Sequence, residues 1–371
     1  LREYCDNNGN SSIDKFHLYK LLDDSLRFSK EELLYENILV EMLAKEEIYS
    51  TTQNRIALSM LYYCEKKILD FFNIRKDSKN KKIIDSFDEY LEKKQKTLGF
   101  TLSSEQQKAV ELINSGEKTL FLIGYAGTGK STSSRAILEL LEEIVSYDDI
   151  IAIALSGIAS QRISDTTGYN SSTIQSLLVK HKEKDFFPYK VILLDEASIV
   201  NSVTFSQIRS KISDDTIFII VGDDGQLPAI GAGNILADSI KYELAPICKL
   251  TKIYRQNENQ AIAVIANDIR KGELPNYKEE YEDFKFVDVS IGNYYSMKNS
   301  LSQNEFSDMR GENSDYILNN ILNIASNYIQ NYYDFIKEKN IGKALTLFQV
   351  ITPMKGGVLG VENLNIELQR L

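Results

Sequence analysis

The chain has 371 residues, enough for two or three domains of ordinary size. A hydrophobic share of 43% and a charged share of 26% are usual for a soluble globular protein, and no run of about 18 apolar residues marks a membrane span. The net charge of -10 argues against a protein that coats nucleic acid by bulk electrostatics, but it leaves room for a narrow basic or aromatic channel.

Residues 1–100 read as one mainly helical domain. Apolar positions recur at helical spacing over 13–26, 33–43 and 56–72, with a β-rich stretch over 47–52 between the last two. Two short helices, a β-rich turn and a further helix resemble a winged helix; a plain helical domain fits equally well. Winged-helix elements bind protein partners as often as DNA, so this domain is a candidate surface for either. The stretch 75–82 is charged and lacks apolar periodicity, and it reads as a solvated linker.

From Thr101 the character changes. Apolar runs over 119–123, 150–155, 191–194 and 217–221 read as strands, with helical patterns after the first and the third. This alternation predicts an α/β domain over 101–251, a parallel sheet with helices on both faces. A further strand is expected at 248–250, and a helix over 258–272 closed by Gly272 with Pro275 beyond. Residues 290–315, rich in Ser, Asn and Gly, read as a loop. A helix follows over 317–338 and a buried strand over 345–351.

Cys5, Cys64 and Cys248 form no pair motif, and only two histidines are present. A disulfide framework or a histidine-based metal site therefore has little material, and a reducing cytoplasm fits. No signal peptide is visible. The chain opens at Leu1 rather than Met, as a fragment or processed chain would.

The chemistry lies in the α/β segment. Gly124-Tyr-Ala-Gly-Thr-Gly-Lys130-Ser131 satisfies G-x-x-x-x-G-K-[ST], follows an apolar strand and opens a helical run. Glycines let backbone N–H groups close around phosphate oxygens, and the helix N-terminus adds its positive end. The expected nucleotide-binding residues are Gly124, Ala126, Gly127, Thr128, Gly129, Lys130, Ser131 and Thr132. Lys130 is expected at the β- and γ-phosphates of ATP and Ser131 at Mg²⁺.

Val191-Ile-Leu-Leu-Asp195-Glu196 supplies the other half. Asp195, at a buried strand end, is expected to hold the Mg²⁺ hydration shell, and Glu196 to deprotonate the attacking water. Gln226, in Gly222-Asp-Asp-Gly-Gln226-Leu-Pro228, suits a sensor of the γ-phosphate; a polar turn is the plainer reading. Arg255, in Tyr254-Arg255-Gln256, suits an arginine finger; by itself it would read as a surface arginine.

In this order, with Ala154-Leu-Ser-Gly157, Ser172-Thr-Ile-Gln175 and Thr352-Pro-Met354, the motifs resemble the RecD-like superfamily 1 helicases over 101–371. The resemblance implies a 5′→3′ DNA helicase or translocase with two RecA-like motor domains, the second over 252–371, driven by ATP and Mg²⁺ along single-stranded DNA or DNA with a 5′ tail. It implies that Gln106 contacts the adenine and that Arg255 opens the second motor domain. Ser156, Gly157, Ser172 and Thr173 match family positions near the single strand, where hydroxyl and N–H groups suit phosphate contacts that carry no sequence information.

Some residues depart from the pattern. Leu155-Ser156 replaces the usual Pro-Thr, Gln175 the usual His, and Asp224-Gly225 the usual Pro-Asp. Residues 179–190 leave little room for a strand-separating hairpin. The family's last motifs normally follow the point where the chain ends, so the second motor domain is expected to be incomplete, with ATP bound but poorly hydrolysed and DNA not unwound. Two other readings stay open: a DNA-triggered P-loop ATPase with a regulatory or defence role, and a non-catalytic subunit that binds DNA or a partner.

Overall fold

The computed structural model describes residues 1–26, 32–51, 53–76, 78–99, 101–125, 127–252, 261–276, 284–286, 303–337 and 349–371. They form two compact units, Leu1–Pro275 and Asn276–Leu371.

The first unit opens with α1 (Arg2–Asn8), β1 (Ser12–Asp14), α2 (Lys15–Leu26), α3 (Glu32–Ala44), β2 (Ile48–Ser50) and β3 (Arg55–Leu58). The strands form an antiparallel sheet in the order β1-β3-β2, with Ile13 opposite Ile56 and Tyr49 opposite Ala57. Ile13 and Ile56 bury against Leu18, Tyr35, Leu39 and Ile48. The first residues of the stretch expected to be helical over 56–72 belong to β3, because Arg55 is tied across to β1. Its guanidinium donates to Ser12 Oγ at 2.9 Å and to the Ser12 carbonyl at 2.8 Å.

Helix α4 (Ser59–Lys76) leads from this small sheet to a larger one. Ile68, Phe71 and Phe72, at i, i+3 and i+4, lie on one face and enter the core of the larger sheet. Arg75 ends that face, 4% exposed. It donates to Thr119 Oγ1 (2.9 Å) and to the carbonyls of Lys118 (2.9 Å), Ser213 (3.2 Å), Asp214 (3.4 Å) and Thr216, and its guanidinium lies 5.0 Å from the centre of the Phe71 ring. Burial draws its pKa down to about 10. The solvated-linker reading of this stretch therefore fails at Arg75, where carbonyl oxygens at the sheet end replace water around the guanidinium.

After α5 (Phe87–Leu98) and α6 (Ser104–Asn114) come β4 (Thr119–Gly124), α7 (Lys130–Leu141), β5 (Ile150–Ala154), α8 (Gly157–Thr167), β6 (Ser171–Thr173), α9 (Ile174–Lys180), β7 (Val191–Leu194), α10 (Ser202–Arg209), β8 (Ile217–Gly222), α11 (Ile235–Lys241) and β9 (Ile247–Leu250). The six strands make one parallel sheet in the order β6-β5-β7-β8-β4-β9.

Its strands are buried on both faces, which explains their near-continuous apolar runs. Leu120, Leu122, Leu193 and Ile219 pack with α6, α7 and α8 on one side. Phe121, Ile123, Leu194 and Phe218 pack with α4, α9, α10 and α11 on the other. This is the RecA-like P-loop motor layout, with the carboxyl ends of β4, β5, β7 and β8 opening at one rim. Helix α12 (Ala261–Lys271) ends at Gly272 with φ 75°, as the glycine stop signal implies.

In the second unit, α13 (Gln303–Lys337) and α14 (Val361–Arg370) pack against each other. Residues 303–315 are thus helical and not the expected loop: once the apolar-spaced part downstream nucleates a helix, each added residue needs only one further bond. Of the strand expected over 345–351, residues 345–348 lie outside the described residues, and 349–351 are exposed coil.

Candidate functional site

Strand β4 delivers Gly124 to the rim, and α7 begins at Lys130. Between them Gly127 and Gly129 have φ of 84° and 85°, a left-handed backbone that side chains oppose. Gly129 is also the N-cap of α7 and offers no side-chain acceptor to the first N–H groups of the helix, which leaves them for an anion. Lys130 Nζ folds back on the loop, donating to the carbonyls of Gly124 and, at 3.0 Å, Tyr125. Burial lowers its pKa, opposed by the nearby carboxylates of Asp223 and Asp195. Thr128, 1% exposed, ties the turn down by donating from Oγ1 to the Tyr125 carbonyl at 2.8 Å.

Asp195 follows β7. Its N–H donates to the Ile153 carbonyl at 2.8 Å, and its Oδ1 accepts from the Glu196 N–H at 2.9 Å. Burial raises the Asp195 pKa. Burial first, and then the charge of Asp195, raise that of Glu196. Glu196 has φ 53°, a left-handed conformation that costs a non-glycine residue of order 1 kcal/mol or more and marks functional positions. Gln226, in the turn after β8, accepts from Ser198 Oγ at 3.5 Å.

Five of these groups, Lys130, Ser131, Asp195, Glu196 and Gln226, line one cleft of ≈ 230 Å³ together with Gly127, Gly129 and Thr132. Gly124 and Thr128 sit beneath it. Gln106 is held elsewhere: it is buried, and its side-chain carbonyl accepts from the Ser103 N–H at 2.9 Å in a capping box at the start of α6. Ala126 and Arg255 lie outside the described residues. Ser156 and Gly157 are exposed at the end of β5, beside Ser172 and Thr173 of β6, with Ala154 paired to Thr173. Ser156 Oγ accepts from the Ala159 N–H at 3.1 Å and Thr173 Oγ1 from the Ser176 N–H at 3.2 Å, so both hydroxyl oxygens cap helices.

Two arginines belong to this neighbourhood to which the motifs assign no site role. Arg162 of α8 lines the cleft. Arg270 of α12 pairs with the buried Asp223 at 3.1 Å and lies over the Tyr125 ring. Helical phase from Gly157 would have pointed to the first. The second lies in 269–275, a stretch that resembles a family segment but reads as structural.

Residues 101–290, just over half of the chain, match the family described as AAA domain. The chain belongs to this family, among the RecD-like superfamily 1 helicases. This AAA-domain chain is 26% identical over 276 residues to the ATP-dependent RecD2 DNA helicase of Deinococcus radiodurans, a match covering 73% of this chain and 32% of that protein. It is 29% identical over 202 residues to the ATP-dependent DNA helicase RRM3 of Saccharomyces cerevisiae, covering 47% and 28%. Among solved structures, the Pif1 helicase of Candida albicans is 23% identical with a TM-score of 0.37, over 48% of this chain and 45% of that one. The chain spans about a third of the length of these two curated relatives.

Proposed function

We propose that the chain carries the nucleotide-hydrolysing core of an ATP-dependent helicase or translocase that moves 5′→3′ on single-stranded DNA. The observation that carries this reading is the convergence of Lys130, Ser131, Asp195, Glu196 and Gln226 on one cleft from the ends of three parallel strands.

Among the described residues no cluster of three or more His, Cys, Asp or Glu could hold a metal by itself. A Mg²⁺ ion that takes most of its ligands from phosphate and water fits this cleft, with the Ser131 hydroxyl and Asp195 as its protein partners. Bound there, it would neutralise charge on the transferring phosphoryl group. Lys130 leaves its carbonyl partners for the phosphates, and the free N–H groups of the loop and of α7 close around them. Glu196, with its pKa raised by burial and by Asp195, is placed to take a proton from water. Gln226 reports the state of the terminal phosphate to the rim.

The DNA reading draws on the ledge of Ser156 and Gly157, which are exposed, and Ser172 and Thr173, which are half-buried. Hydroxyl and N–H groups there suit a phosphate backbone without base readout, which a net acidic protein can hold only locally. Arg255 is proposed as the arginine that completes the site, Gln106 as the adenine contact once its cap opens, and residues 1–58 as a winged-helix element for DNA or a protein partner.

The test is ATP turnover with and without single-stranded DNA, beside Lys130→Ala and Glu196→Gln. Turnover stimulated by DNA and lost in both variants is expected. Turnover indifferent to DNA, or surviving Glu196→Gln, would remove this reading. Duplexes with 5′ or 3′ tails then report direction.

A further inference from the structure

Beyond the expected P-loop and carboxylate residues, one wall of the cleft is built by α8. Ala159, Arg162, Ile163 and Thr166, at i, i+3, i+4 and i+7, form a single face of that helix, and all four line the cleft. Ile163 also packs in the motor core, and Thr166 Oγ1 donates back to the Arg162 carbonyl at 2.9 Å. Arg162 is the only ionisable side chain of the four. Other described arginines are engaged: Arg75 with carbonyls, Arg135 with Glu139, Arg270 with Asp223. The Arg162 guanidinium makes no hydrogen bond or ion pair with any described residue.

Arg162 is exposed at the edge of the cleft beside a half-buried acidic pair, unpaired and so free to meet a ligand that enters. Its charge reaches Lys130, Asp195 and Glu196 alike, lowering the pKa of each. Yet it bonds to neither carboxylate, and Asp165 on its own helix is taken by Gln161. Lys130, Asp195 and Glu196 together leave the cleft one charge negative, and a polyphosphate would make it far more so. A free fork of N–H donors at that point is suited to planar, two-point recognition of phosphate oxygens.

We propose that Arg162 is a second phosphate-contacting cation of the nucleotide site, directed at the terminal phosphate of a bound nucleoside triphosphate. The proposal rests on the nucleotide-site reading above. The terminal phosphate is the part of the ligand that must lie between the P-loop lysine and the carboxylate pair, and the charge of Arg162 reaches both. The residue comes from the same domain as the P-loop, so it acts without closure of any second domain. It distinguishes triphosphate from diphosphate by a contact that only the former can make. It also stands on the helix that Ser156 caps, so a shift of that cap would move Arg162 relative to Glu196.

The experiment is equilibrium binding of fluorescent ADP and of a fluorescent, non-hydrolysable ATP analogue, each with Mg²⁺, to the whole chain. Arg162→Gln, Arg162→Lys and Arg135→Gln are compared with the unaltered protein. Arg162→Gln should weaken the triphosphate about tenfold or more while leaving the diphosphate within about twofold, and Arg162→Lys should recover part of the loss. Arg135→Gln, exposed on α7 and outside the cleft, should leave both affinities unchanged. Equal weakening of both nucleotides by Arg162→Gln would overturn the assignment, as would no weakening of either. If the unaltered chain binds neither nucleotide, the nucleotide-site reading falls and takes Arg162 with it; if it binds both and Lys130→Ala abolishes both, that reading stands whatever Arg162 does.

Discussion

Replacing Arg75 by Met tests whether the end of α4 is welded to the motor sheet. The substitution keeps the apolar stem against Phe71 and removes every donor. Three of the acceptors keep another partner: the Lys118 carbonyl still receives the Phe218 N–H, the Ser213 carbonyl the Thr216 N–H, and the Asp214 carbonyl Lys118 Nζ. The Thr216 carbonyl has no other described donor. Leaving one buried acceptor unpaired costs roughly 1–3 kcal/mol, and hydrogen bonds to a charged group contribute roughly 1.5–3 kcal/mol each after solvent exchange. Release of a buried charge that has no carboxylate bonded to it offsets part of this sum. The net expectation is a loss of about 2–4 kcal/mol, or a fall in melting temperature of roughly 3–7 °C for a unit of this size. Arg75→Lys keeps the charge but cannot span five acceptors, and should lose nearly as much. Thermal unfolding followed by tyrosine near-UV circular dichroism reads the change. A Met variant melting within about 2 °C of the parent would mean that the guanidinium is not the weld described.

Three further outcomes are expected. Asp195→Asn should raise stability near pH 7.5 by roughly 0.5–2 kcal/mol, because it removes a buried charge kept for function. The folded-state pKa of Asp195 is raised, so its carboxyl contributes stability at acid pH that is lost as pH rises through that pKa; the gain from Asn should vanish towards pH 4, and a gain that grows on acidification would refute the reasoning. Gly233→Ala should cost roughly 1–3 kcal/mol in urea titrations, since Gly233 has φ 89° and a methyl there would overlap Ser202 Oγ; an unchanged midpoint would contradict the described loop. Arg270→Leu should destabilise by about 1–3 kcal/mol by stranding the Asp223 carboxylate, and Asp223→Asn added to it should restore part of the loss; strictly additive losses would show that the pair is not coupled.

What could be read from the sequence follows from how strongly each residue declares its environment. Strands β4, β5, β7 and β8 were legible because both faces are buried and the runs are β-branched or aromatic. Strand β6, Ser-Ser-Thr, was not, because a polar edge strand has no apolar signature; only its motif drew attention to it. The P-loop and the carboxylate pair were legible because phosphate chemistry admits few alternatives at those positions. Arg75 was misread because burial of a guanidinium depends on carbonyls brought from 118 and from 213–216, which are remote in sequence. Arg162 and Arg270 are silent for the same reason, as their roles exist only once α8 and α12 are set against the rim. Gln106 shows the opposite case: its motif position is visible in the sequence, while the structure gives its side chain to a local capping box.

The position of α4 also bears on how this protein can be divided. Phe72 stands 5.5 Å from Phe121 and 5.9 Å from Phe205, ring centre to ring centre, so the amino-terminal segment fills a space that the α/β segment leaves empty. A protein cut at Thr101 would expose Phe121, Phe205 and Phe218 as a sticky aromatic face and would be prone to aggregate. The smallest soluble piece that retains the nucleotide cleft must therefore begin before Ser59. Inheritance is constrained likewise: a larger side chain at 205 has to be matched by a smaller one at 72, so these distant stretches are bound to change together.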